Sequence, residues 1–321
     1  MGKKRAIVNL VYSPQKGAPH KIYENENGEV WRSKSYDNTK LNVGMGWYSI
    51  RDPKRETDSL LAIEPFCILP KDYETRFAKK FKHVFTWATK AFSHPALAKK
   101  IVPINHPSCW GIAAPEQIGK NWPAWNERKD EIVFIANNKT STHESQLYSS
   151  RIALADYIEK HSKYKVAWYG QIPLKRDYFV GQLNNKHEKL KNSKFSICIE
   201  NSYHPIYTHN YFTEKLPEVW LAGAVPLYMG CYNIDSFGFP KNSYIDLRSC
   251  IKKGRADKLH LEKEGFKKIL DAVHKFNAKD YESYTNTLKK EVLHNGKLHD
   301  IISFTKMYDT IINTYFKEIN S

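Results

Sequence analysis

The chain has 321 residues, 41% of them hydrophobic, with 15 Gly and 15 Pro and no repeated or low-complexity stretch, which excludes a fibrous or disordered protein. Lysine and arginine outnumber aspartate and glutamate 50 to 34, a net charge of +16, so polyanions in general are favoured partners, whether nucleic acid, an anionic membrane surface or a nucleotide diphosphate. No run approaches the roughly 18 apolar residues of a membrane span, and the start MGKKRAIVNLVYS has too short an apolar stretch for a signal peptide, so a soluble, cytoplasmic protein, at most peripheral to an anionic membrane, is expected.

The basic residues are dispersed (Lys79, Lys80, Lys82; Lys99, Lys100; Lys252, Lys253, Arg255) without a recognised DNA- or RNA-binding motif, so no specific nucleic-acid partner is expected. Cys67, Cys109, Cys198, Cys231 and Cys250 are odd in number and lack CxxC spacing, which fits reduced thiols. The 13 histidines include no HExxH or paired Cys/His spacing, and a structural metal is not expected.

In chain order, residues 5–13 predict a strand, and HKIYENENGEVWRS predicts a hairpin through Asn27-Gly28. Ser59 to Ile63 is an apolar run of strand length that stops at Glu64-Pro65, where the proline bars continuation into a helix; a glutamate in that place is ordinarily a turn residue. KDYETRFAKKF predicts a helix, and HVFTWATK and KIVPINHPSCW predict strands. The stretch from His106 to Glu127, with three prolines and several tryptophans, predicts an irregular interdomain connection. Trp110, Trp122 and Trp125 there suit either packing or the stacking of sugar faces.

EIVFIANN predicts the first strand of a second domain. Leu147, Arg151, Leu154 and Ile158 then recur at helical spacing. An arginine facing a strand end gives two oriented donors that suit a diphosphate; the same spacing also fits a surface salt bridge. KVAWYG predicts another strand.

The centre of the chain is Phe195 to Gly230. A short apolar run (Phe195, Ile197, Cys198, Ile199) predicts a buried strand that ends in Glu200, Asn201 and Ser202. After a polar loop, Leu216, Val219, Trp220 and Gly223 trace one face of a helix, Gly223 stops it, and Val225 to Met229 predicts the next strand. This is a βαβ unit, and parallel sheets bind ligands at the carboxyl ends of their strands. Tyr211, Thr213, Glu214 and Lys215 fall at the helix start, where unpaired N–H groups and the dipole favour an anion. A capped helix with a solvated Glu/Lys pair fits these residues equally. Further on, NSYIDLRS predicts a strand, KEGFKKILDAVHKF and DYESYTNTLKKEVL predict helices, and the final helix gathers Ile301, Phe304, Tyr308, Ile311, Ile312 and Tyr315 on one face.

Four ordered blocks, ENS, YFTEKL, AGAVPLYMG and FPKNSYIDL, resemble the C-terminal signature of the α-1,3-fucosyltransferases of glycosyltransferase family 10, over roughly residues 130 to 290. The loop Asn201 to Tyr211 is a few residues longer than the family pattern. The resemblance implies an α/β protein of GT-B architecture, two Rossmann-like domains facing across a cleft. Residues 1–125 would form an acceptor-binding domain, 126–295 a donor-binding domain, and 296–321 a helix crossing back to the first.

It further implies inverting transfer of fucose from GDP-fucose to a hydroxyl of a glycan acceptor. Glu64 would be the catalytic base, and Arg151, Glu200, Asn201, Tyr211, Glu214 and Lys215 the donor-binding residues. The sequence contains no metal-binding Asp-x-Asp, so neither a metal nor any cofactor beyond the donor is expected. Another nucleotide sugar in the same site, or a basic nucleic-acid-binding protein, are the alternatives.

Overall fold

The computed structural model describes residues 3–11, 18–33, 37, 39–45, 59–105, 119–250, 263–293 and 305–321. Cys109, Trp110, Ile301 and Phe304 lie outside the described residues, as does the Cys250 side chain. The chain divides into two compact units, one of Met1–Pro107, Pro205–Tyr211 and Ser303–Ser321, the other of Ser108–His204 and Phe212–Ile302.

The first unit is built on a seven-stranded sheet of β1 (Ala6–Val11), β2 (His20–Asn25), β3 (Gly28–Ser33), β4 (Leu41–Met45), β5 (Ser59–Ala62), β6 (His83–Thr86) and β7 (Ile101–Pro103), in the order β2-β3-β1-β4-β5-β6-β7. Only β2–β3 is antiparallel. The hairpin turns at Glu26-Asn27, one residue earlier than expected, because Asn25 Oδ1 accepts from the N–H groups of Asn27 and Gly28. Gly28 is required for another reason: a Cβ there would stand 2.2 Å from the Ala6 carbonyl oxygen on β1.

Strand alternation sends Leu60, Ala62 and Val84 to one face of this sheet and Leu61 and Phe85 to the other. The expected helix over KDYETRFAKKF is instead a 3-10 turn, Pro70–Tyr73, and a single turn α1 (Thr75–Ala78), separated by extended backbone at Glu74. Packing overrides propensity here: Tyr73, Phe77, Ala78 and Phe81 all enter the core with Leu60, Trp87 and Tyr211.

The second unit carries six parallel strands, β8 (Lys129–Ile135), β9 (Lys165–Tyr169), β10 (Phe179–Gly181), β11 (Ser193–Ile199), β12 (Val225–Met229) and β13 (Ile245–Asp246), in the order β10-β9-β8-β11-β12-β13. Its helices are α2 (Tyr148–His161), α3 (Lys186–Lys191), α4 (Lys215–Ala222), α5 (Lys263–Lys275) and α6 (Ala278–Thr287). The strand order is that of a doubly wound dinucleotide-binding sheet and reverses between β8 and β11. All seven residues of β11 are buried, as expected of a central parallel strand. NSYIDLRS yields only the two residues of β13.

Gly223 ends α4 in the left-handed conformation (φ 71°) and lies under the indole of Trp122, which donates to the Leu221 carbonyl at 3.0 Å. Trp125 packs edge-on against Phe195. Both tryptophans are thus packing residues of this unit.

The last helix, α7 (Thr305–Ile319), returns to the first unit. Met307, Tyr308, Ile311, Ile312 and Tyr315 cover the sheet face made by Ala6, Val8, Leu10, Val30, Leu61 and Phe85. Ser59 and Tyr315 share a buried hydrogen bond of 2.6 Å beneath it. No described helix is long and apolar enough to cross a membrane.

Candidate active site

In the second unit, the chain leaves β11 at the reversal of strand order, and the first residue out is Glu200. Its side chain is 0% exposed, and both carboxylate oxygens are occupied. Oε1 accepts from the Thr213 backbone N–H at 2.7 Å; Oε2 accepts from the Thr213 hydroxyl at 2.8 Å and from the Lys215 ammonium at 3.0 Å. Lys215 Nζ also donates to Thr213 Oγ1 at 2.9 Å and lies 3.6 Å from Glu214. Burial by itself would lower the Lys215 pKa, but the Glu200 and Glu214 carboxylates outweigh it and hold the ammonium above its ordinary range.

Helix α4 begins at Lys215, with Glu214 as its N-cap, so the helix start lies two residues past Thr213. Thr213 serves the carboxylate of Glu200 and, at 3.4 Å, the Lys215 N–H. On the other side of Glu200, Gly230 leaves β12 without a side chain, and Cys198 beside it is buried, its thiol pushed up to about 12 by that burial.

Arg151 stands in the first turn of α2 and is 3% exposed. Its guanidinium donates twice to the Ile199 carbonyl, at 3.2 and 2.7 Å, and once to Asn201 Oδ1 at 2.9 Å, and it lies over the ring of Tyr148. It therefore bridges the helix start to the end of β11. The two loops that flank the reversal are joined by backbone: Leu147 N–H to the Asn201 carbonyl, Tyr203 N–H to the Ser145 carbonyl, and a bridge between Gln146 and Ser202. Ser202 Oγ donates to the hydroxyl of Ser145, which in turn lies 2.8 Å from His143 Nδ1.

In the first unit, Glu64 follows β5 and is half-buried. Its backbone is fixed from two directions: the Tyr73 hydroxyl donates to the Glu64 carbonyl at 2.7 Å, and the Trp87 indole donates to the Ile63 carbonyl at 2.8 Å. Tyr73 also stacks on Phe92, and Phe66, two residues beyond Glu64, stacks on Tyr207. Burial, with Asp72 and Glu64 nearby, keeps the Tyr73 phenol protonated far beyond its ordinary range.

Tyr211 belongs to this unit and not to the Glu200 cluster. It is 1% exposed and stacks on Trp87 at 4.5 Å. The structure thus gathers Arg151, Glu200, Asn201, Glu214 and Lys215 around the end of β11 in one unit, and Glu64 and Tyr211 in the other. The sequence places Thr213 at the helix start, but its role as the partner of Glu200 is not legible there, nor are Gly230, Tyr73 and Trp87 as supports. Among the described residues no group of three or more His, Cys, Asp or Glu side chains is placed to hold a metal ion.

Residues 125–264 match the model of the glycosyltransferase family 10 (fucosyltransferase) C-terminal domain. No curated protein matches the chain in sequence. Among solved structures, an α1,3-fucosyltransferase with GDP aligns over 98% of this chain and 91% of its own at 13% identity, with a TM-score of 0.57. An α1,3-fucosyltransferase with GDP-fucose aligns over 99% and 92% at 14% identity, with a TM-score of 0.54. TarM of S. aureus, solved with UDP, aligns over 87% of this chain and 55% of its own at 13% identity, with a TM-score of 0.51. These likenesses are of fold, and the fold is GT-B, with two Rossmann-like units. The family 10 match lies in the unit that holds Glu200 and Lys215, and with the GT-B fold it marks the chain as a glycosyltransferase.

Proposed function

We propose that the protein moves fucose from GDP-fucose to a hydroxyl of a glycan, with inversion at the anomeric carbon. The observation that carries the reading is the buried Glu200–Thr213–Lys215 cluster at the strand-order reversal of the family 10 domain, because it fixes an ammonium where doubly wound sheets hold phosphates. In support, the α1,3-fucosyltransferases of like fold were solved with GDP and with GDP-fucose.

In this reading residues 1–125 take the acceptor and 126–295 the donor. The acceptor oxygen attacks the anomeric carbon, the bond from that carbon to the diphosphate oxygen breaks, and GDP leaves with the electron pair. Glu64 receives the acceptor proton, a role worth typically ~10²–10⁴ in rate. Lys215 and Arg151 meet the charge that grows on the diphosphate. Asn201 and Glu214 meet sugar hydroxyls, whereas Tyr211, buried against Trp87 in the first unit, is a packing residue there and not a donor contact. GDP stabilised in this way needs neither an acid partner nor a metal ion to leave.

The test is calorimetric titration with GDP-fucose, GDP-mannose, GDP and UDP, with and without EDTA. Binding of GDP-fucose and GDP that is indifferent to EDTA is the expected result. Preference for UDP or for GDP-mannose would assign a different donor, and loss of binding in EDTA would overturn metal independence.

A further inference from the structure

Glu200 has no contact with solvent, and an ionised carboxylate in that position is costly unless its oxygens are fully engaged. They are, and every partner comes from one short segment: the Thr213 N–H, the Thr213 hydroxyl and the Lys215 ammonium. Lys215 itself is 15% exposed, so it stands between the buried carboxylate and the surface of the unit. An ammonium carries three donors. Two are spent, on Glu200 and Thr213.

We infer that Glu200 is a positioning residue: it does not touch the donor, but holds the Lys215 ammonium charged and aimed so that the remaining donor meets the diphosphate. This rests on the donor reading above and changes the part Glu200 plays in it, from a contact to the support of a contact. The Glu200 side chain fills the space beside Gly230, where an added Cβ would fall 2.1 Å from Glu200 Cγ, so the position is held for this side chain by the glycine opposite. The charged and titratable groups around Lys215 are Glu200 and Cys198 of β11 and its exit, Glu214 and Glu218 of its own helix, Arg151 of α2, Lys186 of α3 and Tyr228 of β12. Of the acids, Glu200 and Glu214 raise the Lys215 pKa, while burial and Arg151 lower it. Removing the Glu200 charge leaves burial and Arg151 opposed by Glu214 at 3.6 Å.

The experiment is GDP affinity of the full chain by calorimetry between pH 7 and 9, for wild type, Glu200→Gln, Lys215→Ala and the double variant. Glu200→Gln should weaken GDP binding by about tenfold at pH 7, and the ratio of variant to wild-type affinity should fall further toward pH 9 as Lys215 loses its proton. In the Lys215→Ala background the same change should matter by less than about twofold, because the two residues act as one. A purely structural role would lower the unfolding midpoint without a pH-dependent ratio and would add to the Lys215→Ala loss; either result overturns the inference.

Should Glu200→Gln not fold, Thr213→Val carries the test. It keeps the charge, so it should weaken GDP binding with a pH profile parallel to that of wild type, and a newly sloped profile would count against Glu200. Wild-type protein that binds no GDP would instead bring down the donor reading, and this inference with it.

Discussion

Gly230 lies directly against Glu200: a Cβ on Gly230 would fall 2.1 Å from Glu200 Cγ and 2.6 Å from its Cβ. Those are inner atoms of a fully buried side chain, so they have no flexible end to swing aside. Gly230→Ala should cost about 1–3 kcal/mol, the range for overpacking a core, and should weaken GDP binding by displacing the partner of Lys215. Denaturant midpoints and a GDP titration read the two effects. Unchanged values in both would mean that the strand end yields without strain.

Glu64→Gln keeps the shape of the side chain and removes its basicity. Turnover of GDP-fucose with an acceptor should fall by ~10²–10⁴ while GDP affinity stays within about twofold of wild type. A variant that turns over normally would reject Glu64 as the base.

Tyr73→Phe removes only the hydroxyl that donates to the Glu64 carbonyl. The half-buried carbonyl loses that donor, at a cost of about 0.5–1.5 kcal/mol. Because Glu64, the proposed base, loses a restraint and the proposed donor residues do not, kcat should fall with GDP affinity unchanged. Equal loss in both would place the effect in general destabilisation.

The tie between α7 and β6 should respond to acid. Burial pushes the Glu318 carboxyl up, but Lys82 at 2.8 Å and His83 at 3.0 Å more than offset it, so its pKa lies below the ordinary 4.5. A depressed carboxylate contributes stability that is full above its unfolded pKa and is lost as pH falls through the folded value. The stability difference between wild type and Glu318→Gln should therefore be present at pH 7, shrink below about pH 4.5 and vanish below the folded pKa. Denaturant unfolding at pH 7, 4.5 and 3 measures it; a difference that persists at pH 3 would show that the charge is not the cause.

The elements legible in the sequence were those whose burial is set by their own residues. Phe195 to Ile199 and Val225 to Met229 are buried throughout, and apolar but for Ser196, because each has a parallel neighbour on both sides, and Leu147 at the N-cap of α2 and Arg151, Leu154 and Ile158 within it are all buried. Strand β10, with exposed Val180 at its centre, lacks an apolar run and is made by pairing, and β4, interrupted by Asn42 and Gly44, sends only Val43 fully into the core. The site divides in the same way. Glu200 and Lys215 could be named from their positions around a helix start, but their ion pair spans 15 residues and depends on Thr213 turning back toward the strand. Trp87 reaches the Ile63 carbonyl across 24 residues, a contact that only the pairing of β5 with β6 creates. The expected helix after Pro70 breaks at Glu74 because Tyr73, Phe77, Ala78 and Phe81 are all drawn into one core, which no local pattern records.

The first unit is closed by a helix translated roughly two hundred residues after its last strand, with the whole of the second unit encoded in between. On the ribosome the usual order of domain completion is thus inverted. The second unit can finish while β1 to β7 still present Val8, Leu10, Leu61 and Phe85 on an uncovered sheet face. Until α7 arrives, that face lacks the helix that covers it in the finished fold and is an apolar patch of the kind that chaperones bind and that seeds aggregation.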